Sequence, residues 1–89
     1  MALVSKKLTV KNNQGLHARP AALFVQIANK YDSHISVKRD KQKVNGKSIM
    51  GILMLGAETG CSITIEAEGH DARSAILELE NIVLKEEGK

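Results

Sequence analysis

A regular alternation of apolar and polar residues predicts the strands of this chain. Residues 61–67 are apolar at every second position, which is typical of a strand with one face in solvent. On this pattern Cys61 is expected to be a small core residue that faces inward on the last strand. Residues 4–10 show a similar pattern and predict the first strand, and the polar residues 12–15 after it predict a loop.

Two further short strands are predicted in the middle of the chain. Ile35 and Val37 belong to one strand and Val44 to the next. They are joined around Asp40 and Lys41, which makes a hairpin the natural interpretation. Lysine is a poor residue for a turn position that needs positive φ, so we expect a looser turn than the tight two-residue type.

Apolar residues at three- and four-residue spacing predict a helix after the first loop and another at the C-terminal end. Pro20 lies in the first turn of the former helix, where a residue without an N–H is tolerated, and residues 29–32 end it. Asp71 is predicted to cap the latter helix, whose apolar positions run from 72 to 83 and which leads into a charged tail.

A short helix is predicted between these two. Ser48 is a good N-cap, residues 49–55 are almost all apolar, and Gly56 suits the C-terminal end. Because a short helix cannot bury every side, some of its apolar residues should remain exposed. The complete order of elements favours an α+β domain over residues 1–89, with an antiparallel sheet covered on one face by helices.

Composition limits the functional classes. A chain of 89 residues is near the lower end of sizes that bury a self-sufficient core, which argues against a large cofactor cavity, and we expect no cofactor. The lone Cys61 cannot form an internal disulfide, which suits a reducing compartment. No apolar stretch has the length of a signal or a membrane span. A cytoplasmic protein, neither secreted nor bound in a membrane, is therefore expected.

The distribution of charged and aromatic residues argues against nucleic-acid binding. The formal charge is +3, the basic residues are spread over several segments, and there is one Phe and one Tyr. RNA-binding sheet domains usually stack bases on several exposed rings. No metal site is predicted either, because His34 and His70 have no ligand spacing to each other or to Cys61.

The chemistry is predicted in the segment Gly15-Leu16-His17-Ala18-Arg19-Pro20-Ala21. His17 is placed at the start of a helix, where unpaired N–H groups and a partial positive charge attract anions. A phosphoryl group on this ring could accept hydrogen bonds from the N–H groups of Ala18 and Arg19. The Arg19 guanidinium suits phosphate oxygens, and Gly15 permits close approach of the loop.

Histidine is a competent nucleophile near neutral pH without a separate base, since its ordinary pKa is about 6.5. Taken alone, however, His17 is also compatible with an ordinary helix-start residue and Arg19 with a solvated charge. The heptapeptide as a whole favours phosphoryl chemistry.

These residues resemble the active-site signature of the HPr family, the histidine-containing phosphocarriers of the bacterial phosphoenolpyruvate-dependent phosphotransferase system. Residues 47–51, Lys-Ser-Ile-Met-Gly, resemble the family's serine phosphorylation site. The resemblance implies an open-faced β-sandwich of four antiparallel strands and three helices. It also implies a monomeric carrier, not an enzyme, whose His17 accepts phosphate on Nδ1 from phosphorylated Enzyme I and passes it to an Enzyme IIA domain.

The resemblance further implies that a bifunctional HPr kinase/phosphorylase modifies Ser48. The expected partner-binding residues are Leu16, Arg19, Pro20, Lys47, Ile49, Met50 and Leu53. Two positions depart from the family's common pattern. Leu53 stands where many regulated members have methionine, and Asp40-Lys41 where many have Asn-Gly.

Two other functions remain open. The first is a regulatory paralogue that reports nitrogen or carbon status mainly by binding other proteins. The second is a stand-alone enzyme in which His17 is a general acid or base. The second lacks a carboxylate pair or another histidine in the same segment, and the chain is small for an ordinary substrate pocket.

Overall fold

The computed structural model describes residues 3–11 and 15–85. It contains four strands and three helices in the predicted order: β1 Leu3–Thr9, α1 Ala18–Ala28, β2 His34–Arg39, β3 Gln42–Asn45, α2 Ile49–Leu55, β4 Ser62–Glu68 and α3 Ala72–Leu84. Residues 12–14 of the predicted loop and residues 86–89 of the charged tail lie outside this description.

The strands form one antiparallel sheet in the order β1-β4-β2-β3. In β4 the buried residues Ile63, Ile65 and Ala67 alternate with more exposed ones, as the sequence pattern predicted. The helices cover the buried face, with α3 packed on β1 and β4 and α2 on β2 and β3. The predicted α+β fold, an open-faced sandwich with a four-stranded sheet, is therefore confirmed. No helix within the described residues is both long and apolar enough to cross a membrane.

The core lies between the sheet and the helices. Its largest fully buried side chains include Phe24 from α1, Ile52 from α2 and Leu79 from α3. Burial of one such side chain contributes about 1.5–3 kcal/mol. The helices are therefore fixed on the sheet by apolar contacts from each of them.

The β2–β3 hairpin is tighter than predicted. Arg39 pairs directly with Gln42, so that Asp40 and Lys41 form a two-residue turn. Among the described residues other than glycine, Asp40 alone has a positive φ, of 55°. The expectation of a looser turn was wrong because Asp40, a residue type that tolerates this conformation, adopts it.

Asp71 is the N-cap residue of α3, but its side chain does not cap the helix. Its carboxylate instead accepts hydrogen bonds from the N–H groups of Asp32 (2.8 Å) and Ser33 (3.0 Å) and from the Ser33 hydroxyl. The Ser33 hydroxyl is the main cause of a pKa of about 2 for Asp71, against an ordinary 3.8. Asp71 thus joins the start of α3 to the segment before β2.

Cys61 departs from its expected place in the core of the last strand. It precedes β4 and is only half-buried. Its backbone N–H donates to the Glu58 carbonyl, and its carbonyl accepts from Val10. The first bond closes the turn that leads into β4, and the second joins Cys61 to the residue that follows β1.

Candidate functional site

His17 lies where the sequence predicted it, at the start of the first helix. It is the N-cap of α1, with extended backbone angles of φ −106° and ψ 173°, and its carbonyl accepts the first helical hydrogen bond from Ala21 at 3.0 Å. The imidazole makes no capping hydrogen bond and is exposed. The imidazole is therefore accessible to another molecule.

The backbone beside this ring suits an anion. Ala18 and Arg19 are the first two residues of α1, and helix geometry leaves their N–H groups without an acceptor inside the helix. Pro20 follows and has no N–H. Two donors and the positive end of the helix dipole thus lie next to an exposed histidine, a combination that stabilises a bound phosphoryl group. The Arg19 side chain is exposed at the same place.

The segment before His17 is fixed by the turn that follows α2. The N–H of Leu16 donates to the carbonyl of Ala57 at 2.8 Å. Gly15 has a φ of 67°, and a Cβ at this position would lie 2.6 Å from the Ala57 carbonyl oxygen. Only glycine fits this approach without strain. The histidine therefore follows a rigidly held turn.

Two predicted partner-binding residues are not accessible. Leu16 and Pro20 are both buried among the largest core side chains. A helix start needs apolar anchors on its inner side, and the residues on either side of the exposed segment 17–19 supply them. The assignment of these two side chains to a docking surface is therefore corrected: they hold the backbone that presents His17.

Helix α2 begins and ends as predicted. The Ser48 hydroxyl accepts a hydrogen bond from the N–H of Gly51 at 3.1 Å, and Gly56 ends the helix in the left-handed conformation with a φ of 65°. Gly51 also permits close packing, since a Cβ there would lie 3.1 Å from the Asn45 carbonyl oxygen. Ser48 is thus an N-cap whose hydroxyl is already in use.

Helix α2 exposes a cluster of large apolar side chains, as the sequence predicted. Met50 is 62% exposed and Met54 69% exposed, and smaller fractions of Ile49 and Leu53 are also in solvent. These four residues are referred to below as the α2 apolar surface. Met54 was missing from the predicted set, although its four-residue spacing from Met50 places both on one side of a helix.

Lys47 is held more firmly than a free surface lysine. Its ammonium group donates to the Tyr31 carbonyl at 2.6 Å. Its own carbonyl accepts from the Asn29 side-chain amide at 3.2 Å, and its N–H donates to the Asn45 side chain at 2.8 Å. The ammonium joins the start of α2 to the segment after α1, and the expected contact of Lys47 with partners stays a prediction.

Arg39 was not singled out in the sequence, where it is one of several dispersed basic residues. In the structure its Nη1 donates to the carbonyls of Leu55 at 3.0 Å and Gly56 at 2.9 Å, at the C-terminal end of α2. One sequence signal for its position was available: Arg39 follows Ile35 and Val37 at two-residue spacing, and residues at this spacing lie on the same face of a strand. Its side chain was therefore to be expected on the helix-covered face.

One group of possible metal ligands occurs among the described residues. One side-chain ligand atom from each of Asp32, His70 and Asp71 lies within 4.8 Å of the others. His70 Nε2 lies 3.0 Å from an Asp32 carboxylate oxygen, and this hydrogen bond is the main cause of a raised pKa for His70. His70 and Asp71 are adjacent in the sequence, and hydrogen bonds bring the distant Asp32 to both of them. His34 lies elsewhere, as the exposed first residue of β2.

Comparison with known proteins shows relatives that are similar over nearly the whole chain. The HPr-like protein Crh of Halalkalibacterium halodurans is 46% identical over 84 residues, which cover 94% of this chain and 100% of that protein. The phosphocarrier protein HPr of Treponema pallidum is 42% identical over 80 residues, covering 90% of this chain and 91% of that protein.

Solved structures agree with the fold. The phosphocarrier protein HPr of Bacillus anthracis superposes with a TM-score of 0.89 at 48% identity, over 93% of this chain and 99% of that one. Bacillus subtilis Crh, described as a catabolite repression protein and as a domain-swapped, intertwined dimer, gives a TM-score of 0.72 at 45% identity, over 90% and 92% of the two chains. The family model PTS-HPr, described as the PTS HPr component phosphorylation site, matches residues 4–85. With the exposed His17 at the start of α1, this match shows that the chain belongs to the HPr family.

Proposed function

We propose that this protein relays a phosphoryl group through His17, from phosphorylated Enzyme I to an Enzyme IIA domain, in phosphoenolpyruvate-dependent sugar uptake. The observation that carries the proposal is the exposed imidazole at the N-cap of α1, next to the free N–H groups of the first turn. The protein is a covalent carrier in this scheme and not a catalyst with its own substrate pocket. It acts in the cytoplasm, where its free Cys61 thiol remains reduced.

The transfer itself needs little beyond positioning and charge. The Nδ1 lone pair of His17 attacks the donor's phosphorus, the new P–N bond forms, and the bond to the donor breaks with its electron pair returning to the donor. The N–H groups of Ala18 and Arg19 and the Arg19 guanidinium stabilise the phosphoryl oxygens during transfer. A nucleophile of Enzyme IIA then attacks the phosphorus, and the P–N bond breaks with its electron pair returning to Nδ1, which restores free His17.

Partner proteins dock on the α2 apolar surface, in this proposal, with Arg19 as the cation at the site. Exposed apolar patches of this kind are typical of protein–protein contacts. One copy of the chain is sufficient for the relay. Bacillus subtilis Crh is described as a dimer, and the relay through His17 is compatible with either state of this chain.

Ser48 is the proposed site of regulation by an HPr kinase/phosphorylase. A phosphate on Ser48 adds between one and a half and two negative charges. It would lie at the first turn of α2, where negative charge is tolerated, and beside Ile49 and Met50, where an acidic partner would be repelled. Phosphorylation would thus change docking without unfolding the helix.

Labelling with Enzyme I and phosphoenolpyruvate tests the relay directly. The intact mass should rise by one phosphoryl group, and the group should be lost in acid, because phosphohistidine is acid-labile whereas phosphoserine survives. His17→Ala should remain folded and stay unlabelled, since the side chain is exposed. His34→Ala, which removes another exposed histidine, is the control and should be labelled like the parent. Acid-labile phosphate in His17→Ala would refute the assignment.

A second candidate is a regulatory protein that acts mainly by binding partners. It is favoured by the similarity to Crh proteins, one of which is described as a catabolite repression protein. Chase of labelled His17 with an Enzyme IIA domain separates the two functions. Rapid loss of label to the acceptor supports the relay. Labelling at Ser48 by the kinase, with no transfer from His17, supports the regulatory protein instead.

A further inference from the structure

Helix α2 carries the exposed apolar surface but has little stability of its own. It has seven residues, well below the length at which an isolated helix is stable in water. Its inner side contributes the buried Ile52 and Leu55 to the core. The positions of the exposed side chains in its last turn, Leu53 and Met54, therefore depend on the contacts that fix the C-terminal end of the helix.

The last carbonyl groups of α2 receive hydrogen bonds from two sources. The N–H of Gly56 donates to the Leu53 carbonyl at 3.2 Å, as is common where glycine ends a helix. Arg39 Nη1 donates to the carbonyls of Leu55, the last residue of α2, and of its C-cap Gly56, at 3.0 and 2.9 Å. A guanidinium is favourable here, since the C-terminal end of a helix carries partial negative charge.

The β2–β3 hairpin fixes the position of this guanidinium. Arg39 is the last residue of β2 and pairs with Gln42 across the two-residue turn. Its side chain is half-buried, so much of its length is held by neighbouring atoms. The backbone of Arg39 is fixed by its pairing with Gln42, and its side chain links this strand end to the C-terminal end of α2.

We propose that Arg39 is a positioning residue that fixes the C-terminal end of α2 and thereby the orientation of Leu53 and Met54 toward a docking partner. The inference rests on the proposed function, in that the partner is Enzyme I, but the positioning itself is a property of the free protein. Arg39 lies on the sheet and contacts the backbone of α2, so it acts through the helix and does not touch the phosphoryl group.

Steady-state labelling of His17 by Enzyme I, together with amide hydrogen exchange, tests the proposal. For Arg39→Ala, the KM of Enzyme I for this protein should rise by about three- to tenfold. This ratio corresponds to the free energy that an ordinary hydrogen bond contributes. The kcat should stay within about twofold, because His17 and α1 are unchanged. Exchange should accelerate mainly at the amides of residues 53–56.

Two further variants distinguish the positioning of α2 by Arg39 from an effect of net charge. Arg39→Lys keeps the charge and a donor of similar reach, and should recover most of the KM. Lys38→Ala removes the same charge from the neighbouring residue, whose ammonium lies 3.6 Å from Glu66, and should keep the parent's KM. All assays are run well below the melting temperature of each variant.

These measurements distinguish three explanations of an Arg39→Ala effect: positioning of α2, stability of the whole domain and net charge. A lower melting temperature for Arg39→Ala with an unchanged KM would make Arg39 merely stabilising and overturn the proposal. An equal rise in KM for Lys38→Ala would show a general charge effect and overturn it as well. If the parent is not labelled by Enzyme I, the proposed function fails, and exchange alone then decides: faster exchange confined to residues 53–56 supports positioning, whereas faster exchange throughout the chain refutes it.

Discussion

Leu16 offers a sharp test of how the His17 segment is built. The residue directly precedes the exposed histidine, yet its side chain is fully buried. Leu16→Ala removes three carbon atoms from the core and leaves a cavity beside the start of α1. Buried leucine-to-alanine changes cost about 2–5 kcal/mol in other proteins, and about 3 kcal/mol is expected here.

For a domain of this size, 1 kcal/mol shifts the melting temperature by about 4–8 °C. Leu16→Ala should therefore melt about 12–24 °C below the parent. Because small domains are stable by about 5–15 kcal/mol, most of the variant should still be folded at 10 °C. Its His17 labelling at that temperature should then proceed with a KM near the parent's, since the change removes no exposed surface.

Thermal and urea unfolding, followed by labelling with Enzyme I at 10 °C, measure both quantities. Met50→Ala is the matched control: it shortens an exposed side chain of the α2 apolar surface, so its stability should change by no more than about 0.5 kcal/mol while its KM rises. The reasoning fails if Leu16→Ala is as stable as the parent and binds Enzyme I more weakly, because that result would place Leu16 on the docking surface.

Two further predictions concern Ser48 and the Asp71 network. Ser48→Ala loses the bond from Gly51 and should be about 1 kcal/mol less stable, whereas Ser48→Asp should keep its melting temperature but slow His17 labelling at low Enzyme I; equal rates would refute the regulatory role. The lowered pKa of Asp71 contributes stability that is present above its ordinary pKa of 3.8 and is lost as pH falls toward 2. The raised pKa of His70 contributes stability that is present below its ordinary pKa of 6.5 and is lost as pH rises through its pKa in the folded protein. In melts from pH 2 to pH 9, Asp71→Asn should flatten the acid side and His70→Gln the neutral side, and unchanged profiles would refute the linkage.

The strands, the helix starts and the exposed apolar residues of α2 were predictable because each depends on local pattern. Alternation in residues 61–67 identified the inner face of β4. Ser48 and Gly56 identified the ends of α2 because a cap depends on residues a few positions away. The place of His17 at the start of α1 followed in the same way from the proline that comes soon after it.

Some of the errors concern side chains whose partners lie far away in the sequence. Asp71 was expected to cap its own helix but binds Ser33, 38 residues earlier. Lys47 was expected to bind partners, and its contact with the Tyr31 carbonyl, 16 residues earlier, was not foreseen. Residue type indicates what a side chain can bind, whereas only the packing of α1, α2 and α3 on the sheet determines which acceptor is near.

Arg39 and Lys47 change the interpretation of the positive charge around α2. Each donates to backbone carbonyls, and the two residues hold opposite ends of the same seven-residue helix. Their charges act mainly on the protein's own structure, so neither is equivalent to a mobile surface cation. Among the basic residues predicted to bind partners, Arg19 is then the one exposed at the histidine. In the proposed relay, the Arg19 guanidinium would supply positive charge at the site of transfer, and the α2 apolar surface would supply contact area.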